Sequence, residues 1–194
     1  MKTYLKNHFP KISFILILIF FVSTFITLFV PKIGDTIILY PSNLSEPFNW
    51  YRLITYPLYV GGLTAWFLNS LVILLSGFII ENKLKKNDLI GLIFLSSVVG
   101  GLVYIIINQN DIQNIAIASP TMISWGYWSA TIVIGLKNWR TLNLFEKIVI
   151  ILFVLNVFWI TNENIGFLLG QITVIVTITI ISLIKYHYCP IKKN

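Results

Sequence analysis

Charged residues are scarce in this chain, and so are the side chains that build metal sites. Only 11% of its 194 residues are charged, whereas 57% are hydrophobic. A soluble globule of this size needs a largely polar surface, so this composition excludes one. The two histidines, His8 and His187, and the single cysteine, Cys189, are too few for a zinc site. We therefore expect neither a metal nor another cofactor.

Long apolar runs are what the chain has in abundance. A helix crosses a hydrocarbon core of about 30 Å with roughly 17 to 25 residues. Because lipid cannot satisfy backbone groups, runs of this length span it as helices. The sequence predicts an all-α integral membrane protein, a six-helix bundle forming a single domain over residues 1–194. The six runs are Ile12 to Val30, Pro57 to Ile80, Leu89 to Ile107, Thr121 to Leu136, Leu142 to Ile160 and Ile165 to Ile184.

Basic residues fall on alternate sides of these spans. Of the 14 Lys and Arg residues, all but Lys32 and Arg52 lie before the first span, after the second, between the fourth and fifth, or after the sixth. Because cytoplasmic loops carry an excess of Lys and Arg, both termini are expected in the cytoplasm, most simply of a bacterial inner (plasma) membrane. The alternation explains the net charge of +7 without a nucleic-acid partner.

Two irregular segments point to a site. The outer connection from Pro31 to Tyr56 is rich in Pro, Asn and aromatic residues and is expected to lie partly in the membrane interface, the alternative being an ordinary external loop. The fourth span is short and should begin at or just after Pro120, below the outer surface. It is therefore expected to be a buried central helix whose N-terminus opens into an outward-facing pocket. Polar residues expected to face the interior are Asn69, Ser96, Ser97, Ser124 and Asn156.

A family resemblance is carried by the stretch from Asn49 to Glu81. It reads NWYRLITYPLYVGGLTAWFLNSLVILLSGFIIE and resembles the first outer loop and second helix of rhomboid intramembrane proteases. The likeness continues to about Ile184, giving a core of 50–184, and implies six helices with cytoplasmic termini and a short buried fourth helix. The structural positions that match the family pattern are Trp50, Arg52, Gly77, Glu81, Gly126, Gly166 and Gly170.

The resemblance also implies a chemistry that this chain lacks the residues to perform. In rhomboids a serine at the start of the fourth helix attacks a substrate helix, and a histidine on the sixth accepts its proton. A hydroxyl is a poor nucleophile without such a base. Counting back from Gly166 and Gly170, the histidine position holds Glu163. His8 and His187 are expected about one membrane thickness away.

The nucleophile position is altered as well, and two alignments compete. In one, Thr121 replaces the serine of the glycine-x-serine-glycine pattern, with Ser119 and Met122 in place of its glycines. In the other, Ser119 is the nucleophile and Pro120 replaces the following glycine. Either change disturbs the backbone amides that help to hold an oxyanion in such a site.

The oxyanion support on the second helix is half lost. Asn69 is retained, but Ala65 stands at the family's histidine position four residues earlier, and Val60 stands where many members keep another histidine. We therefore expect a catalytically inactive rhomboid that sits in the lipid bilayer and binds transmembrane helices of other membrane proteins. Residues expected to line the vacated pocket are Trp125, Trp128, Met122 and Phe167. The alternative is an active rhomboid-type serine endopeptidase with a non-standard site, in which Glu163 is the base.

Overall fold

The computed structural model describes residues 8–110, 115–156 and 165–188, apart from the side chains of 43, 44, 156 and 186–188. Within these ranges, Leu39 and Ile117 form an isolated antiparallel β-bridge. The rest is helix, short 3-10 turns and loops. The α-helices of the described ranges are α1 (Lys11–Phe29), α2 (Pro31–Ile37), α3 (Arg52–Thr55), α4 (Leu63–Ile80), α5 (Lys86–Asn108), α6 (Thr121–Lys137), α7 (Leu144–Asn156) and α8 (Ile165–Tyr188).

The long helices coincide with the predicted apolar runs. Within the described residues, α1, α4, α5 and the part of α8 up to Lys185 are long and apolar enough to cross a membrane. The sixteen-residue run that begins at Thr121 forms α6, which has 17 residues, and the described part of α7 has 13 residues. The described chain is thus an all-helical membrane protein with four candidate spans, and the count of six spans stays a prediction.

One predicted boundary was wrong. The second apolar run was expected to be helical from Pro57, but Tyr56–Leu58 forms a 3-10 turn and α4 begins at Leu63. The reason is local, because proline cannot donate a helical hydrogen bond and the neighbouring Gly61 and Gly62 favour a break in the helix. The chain therefore makes a separate turn before it enters α4.

The fourth predicted span, α6, lies at the centre of the bundle. It packs against α4, α5, α7 and α8, and most of its residues are buried, including Tyr127, Ala130 and Ile134. It begins directly after Pro120, as predicted. This central position brings the first turn of α6 into contact with neighbours on several sides.

Polar contacts sort the helix ends into two groups. Ser13 near the start of α1 bonds to Glu81 just after α4, and Lys185 near the end of α8 pairs with Asp88 in the first turn of α5. The start of α1 and the end of α8 therefore meet at the same end of the bundle. We call this the basic end, because all the described lysines except Lys32 gather there, namely Lys11, Lys83, Lys85, Lys86, Lys137, Lys147 and Lys185. The start of α6 lies at the opposite end, called the pocket end below.

Glu81 fastens α1 to α4 at the basic end. Its carboxylate accepts hydrogen bonds from the backbone N–H groups of Ile12 and Ser13, at 3.1 and 2.6 Å, and from the Ser13 hydroxyl at 2.6 Å. The first turn of a helix has free N–H groups and a positive dipole end, so a carboxylate there is stabilising. A methyl group on Gly77 would lie 2.8 Å from Pro10 Cβ, so only glycine permits this approach.

The outer connection is held to the pocket end by polar anchors. Arg52 Nη1 donates to the carbonyl oxygens of Asp35 and Ile38, at 2.9 and 2.7 Å. The Tyr56 hydroxyl donates to the Ser97 carbonyl of α5 at 3.1 Å, and the Ser97 hydroxyl donates to the Leu53 carbonyl at 2.6 Å. Burial raises the pKa of the Tyr56 phenol. The connection is therefore a packed part of the fold.

Part of the outer surface of this connection is apolar. Phe48 is 93% exposed and Trp50 is 50% exposed. Exposed aromatic rings at the end of a membrane bundle are typical of the headgroup level. The surface is compatible with the predicted position in the membrane interface, which stays a prediction.

Candidate functional site

The two candidate nucleophiles lie next to each other at the N-terminus of α6. The hydroxyl oxygens of Ser119 and Thr121 are 2.5 Å apart, and the Thr121 N–H donates to Ser119 Oγ at 3.3 Å. Serine and threonine oxygens often satisfy the free N–H groups at a helix start in this way. Each hydroxyl is therefore engaged locally, whichever alignment holds.

A pocket opens beside these hydroxyls, between α4 and α6. It has a volume of about 170 Å³, and the sequence predicted a pocket at this helix terminus. Thr121, Ser124 and Asn69 form its polar side, and Trp125 and Trp128 form much of its apolar side. The two indole rings meet edge to face, with centroids 5.0 Å apart. The predicted pocket positions of both tryptophans are confirmed.

Asn69 is tied into the bundle on both sides of its amide. Its Oδ1 accepts from the Ser124 hydroxyl at 2.6 Å, and its Nδ2 donates to the Ala65 carbonyl at 2.8 Å. An asparagine amide has two N–H donors, so one of them is committed to its own helix. Ala65 contributes no side-chain donor. The retained asparagine links α4 to α6 in this structure.

Met122 does not line the pocket, contrary to the prediction. Its side chain is fully buried on another face of α6 and lies against glycines of α5 and α8. A methyl group on Gly100 would lie 2.6 Å from Met122 Cγ, and one on Gly170 would lie 2.8 Å from Met122 Cε. The physical reason is that a flexible apolar side chain fills the space that two glycines leave open. Phe167 packs against the apolar core.

The motif glycines all stand at helix contacts. A methyl group on Gly126 would collide with the Ser96 side chain, and one on Gly166 with the Asn108 side chain. Gly170 also approaches the carbonyl oxygen of Gly100, at 3.0 Å from the position of an added methyl group. Small residues allow membrane helices to pack closely in this way. The close contacts predicted for Gly166 and Gly170 are confirmed.

The predicted interior polar residues follow the same pattern. Ser96, Ser97 and Ser124 are buried, and Asn69 is half-buried. The side chain of Asn156 lies outside the described part of the structure. Buried polar groups in a membrane helix need hydrogen-bond partners, and the three serines find theirs in backbone carbonyls or in Asn69.

The residue at the family's histidine position, Glu163, lies outside the described residues. The pocket lining that the structure does describe carries no side chain that ionises near neutral pH. His8 precedes α1 and His187 belongs to the last turn of α8, both at the basic end. α6 has 17 residues, which makes the helix about 25 Å long and separates that end from Thr121. Within the described ranges no group of three His, Cys, Asp or Glu residues is placed to hold a metal ion.

The sequence reasoning missed two polar clamps on α6. Trp128 Nε1 donates to the Phe153 carbonyl of α7 at 2.9 Å. Ser129 lies 2.8 Å from the Thr179 hydroxyl of α8 and donates to the Ile175 carbonyl at 3.0 Å. Ser129 was visible as a polar residue within a span, which is a signal for an interior contact. The indole bond had no such signal, because tryptophan reads as apolar.

Comparison with known families agrees with this arrangement. A family model described as the Rhomboid domain matches residues 47–184, from the outer connection through most of α8. No curated protein matches the chain. The matched range contains Arg52, the glycine contacts and the short central helix that begins at Thr121. The chain belongs to the rhomboid family.

Proposed function

We propose that this rhomboid-family membrane protein is catalytically inactive and binds transmembrane segments of other membrane proteins. The observation that carries the proposal is the pairing of the Ser119 hydroxyl with that of Thr121, which lines a pocket whose described lining contains no proton acceptor of the histidine type. Without a base within hydrogen-bond reach, neither hydroxyl becomes an effective nucleophile. The sequence supplies glutamate, Glu163, where the family supplies that base.

The surroundings of the hydroxyls support the same proposal. An oxyanion site needs donors that are free and aimed at the developing charge. Asn69 uses one of its N–H donors on its own helix, and Ala65 has none to offer. Met122, at a glycine position in the first alignment, has a side chain that packs against Gly100 of α5 and Gly170 of α8. Three parts of the catalytic machinery are therefore weakened together.

Binding is supported by the pocket itself. Trp125 is half-buried, and together with Leu68 and Val72 it presents apolar surface next to α4. A transmembrane segment that rests on such a surface gains van der Waals contact, and a polar group on it can bond to Thr121 or Asn69. The preferred ligand is thus an apolar helix with a polar or small residue near its outer end.

An active endopeptidase with a non-standard site is the second candidate. It is favoured by the 2.5 Å separation of the two hydroxyls at a helix N-terminus, where the positive dipole end stabilises developing negative charge. In that case Glu163 would take the proton. Fold alone does not choose between the candidates.

The test combines cleavage and crosslinking on the full chain. The purified protein in liposomes is mixed with labelled, helix-destabilised transmembrane substrates, alongside Thr121→Ala and Ser119→Ala variants. We expect no cleavage by any of the three, because the described pocket lining supplies no base and Glu163 stands at the family's histidine position. Cleavage by the unaltered chain that Thr121→Ala or Ser119→Ala abolishes would establish the protease instead.

Binding is read out separately with a photoreactive residue. Placed at Trp125, it should crosslink an added transmembrane peptide. The matched control is the same residue at Leu18 of α1, which is apolar, 46% exposed and outside the pocket lining. Equal crosslinking at both positions would contradict a binding role for the pocket.

A further inference from the structure

A second cavity lies at the basic end of the bundle, between α5 and α8. Its volume is about 290 Å³. Its walls are apolar and include Leu92, Leu95, Ile178 and Ile181, and it is separate from the pocket at Thr121. Leu92 and Ile178 are buried and form its floor. We call this cavity the α5–α8 groove.

The mouth of the groove carries one charge of each sign. Lys185 Nζ pairs with Asp88 Oδ1, and both residues line the groove together with the neutral polar residues Asn87 and Ser182. The Lys185 side chain is 52% exposed and that of Asp88 is 23% exposed. Exposed ion pairs contribute little to stability, so a ligand can replace the contact between Lys185 and Asp88 at a small cost in free energy. The mouth can therefore offer a cation and a carboxylate to the same ligand.

We propose that the α5–α8 groove binds a phospholipid with an ethanolamine headgroup. One acyl chain lies on the apolar floor, the phosphate pairs with Lys185, and the primary ammonium donates to Asp88. Because the protein is embedded in a membrane, hydrocarbon is the medium that fills apolar walls of this kind. The charges at the mouth then select the headgroup, since both partners of the ion pair are satisfied at once.

Other membrane ligands satisfy the mouth less well. A purely anionic headgroup brings a phosphate for Lys185 but leaves the Asp88 carboxylate beside further negative charge. A choline headgroup carries positive charge but has no N–H to donate.

Gly91 provides a way to close the groove without disturbing the protein. It lines the groove, and an added Cβ would meet no atom within 4 Å. Gly91→Leu therefore fills the groove with a side chain, and replacing a helical glycine favours the helix. Gly91→Ala makes the same backbone change but leaves the space open, so it is the matched control.

The experiment measures which lipid stays bound to the full chain. The protein in mild detergent is incubated with an equimolar mixture of phosphatidylethanolamine, phosphatidylglycerol and phosphatidylcholine with identical acyl chains, and bound lipid is read by native mass spectrometry. We expect phosphatidylethanolamine to be retained about tenfold over phosphatidylcholine, a ratio that corresponds to one charge-assisted contact. Gly91→Leu should abolish this retention and Gly91→Ala should keep it.

Charge variants test the headgroup assignment. Asp88→Asn should remove the preference for phosphatidylethanolamine over phosphatidylglycerol, whereas Lys86→Gln, at the same end but outside the groove lining, should leave it unchanged. Equal retention of the three lipids, a preference for phosphatidylglycerol, or full retention by Gly91→Leu would overturn the proposal. None of these outcomes depends on whether the Thr121 pocket binds or cleaves a substrate.

Discussion

The Met122 side chain of α6 lies directly against the backbone of Gly100 of α5, so that a methyl group on this glycine would be 2.6 Å from Met122 Cγ. In the alignment with Thr121 at the serine position, Met122 itself replaces a glycine. The chain thus places bulk beside its candidate nucleophile and accommodates that bulk with glycines on two neighbouring helices. The local change in the motif is therefore matched by the packing around it.

The first prediction concerns this contact. Gly100→Ala should destabilise the protein by about 1–3 kcal/mol, because the core around Met122 becomes overpacked. Met122→Ala should cost about 2 kcal/mol or more, because it leaves a cavity. The destabilisation of the double variant should be smaller than the sum of the two single destabilisations, by about 0.5 kcal/mol or more. The reason is that Met122→Ala removes two of the three close contacts at Gly100.

Denaturant unfolding in detergent micelles measures these three free energies. Gly91→Ala is the control, because an alanine there meets no neighbouring atom. Strict additivity of the two substitutions would show that Met122 and Gly100 do not interact energetically.

The second prediction concerns the carboxylate at the start of α1. Glu81→Ala should lower the free energy of unfolding by about 1–3 kcal/mol, because two backbone N–H groups and one hydroxyl lose their acceptor. Ser13→Ala should cost less, since the backbone bonds to Glu81 remain. Glu46→Ala, an exposed glutamate of the outer connection, serves as control in the same thermal unfolding assay. A Glu81→Ala protein as stable as this control would refute the anchoring role.

The third prediction concerns the outer connection. Arg52→Ala should expose residues 31–56 to proteolysis, because the guanidinium no longer holds the carbonyls of Asp35 and Ile38. Arg52→Lys should protect the connection from proteolysis only partly, since an ammonium group lacks the planar fork of N–H donors of a guanidinium. The rate of cleavage by a soluble protease added outside liposomes is the measurement. Lys32→Ala, an exposed basic residue of the same connection, should cleave no faster than the unaltered chain.

The fourth prediction concerns covalent reactivity. A serine-reactive fluorophosphonate should leave the protein unlabelled, because the sequence has Glu163 at the family's histidine position and the described pocket lining beside Thr121 holds no base. The double variant Thr121→Ser, Glu163→His should also stay unlabelled by the probe, because Met122 still occupies a position at which the family motif has glycine. In-gel fluorescence of the reconstituted protein reads the outcome. Labelling that Ser119→Ala or Thr121→Ala removes would reverse the conclusion.

Much of the fold could be predicted from the sequence because the bilayer imposes a length on every span. The runs beginning at Ile12, Leu89 and Ile165 became helices within a few residues of their predicted ends. The start of α6 was predicted by Pro120, whose ring and missing N–H fit the first turn of a helix. The predicted helix start at Pro57 was wrong because a turn made of apolar residues has the same hydropathy as a helix made of them.

The site was harder to predict because its contacts join distant parts of the chain. Glu81 was recognised as a family position, but its partner Ser13 is 68 residues away, so its role as a helix cap was not apparent. Met122 was assigned to the pocket because its helix position was known, while the face it occupies depends on the glycines opposite. Pairwise packing between helices is not encoded in any single run.

The indole of Trp128 has a consequence for how α7 can move. Its N–H is satisfied by the carbonyl of Phe153 and is buried. Pulling α7 away from α6 would strand that donor in hydrocarbon, at a cost of about 1–3 kcal/mol. A ligand that inserts between α6 and α7 must therefore offset this free-energy cost. It can do so by supplying a hydrogen-bond acceptor for the indole N–H.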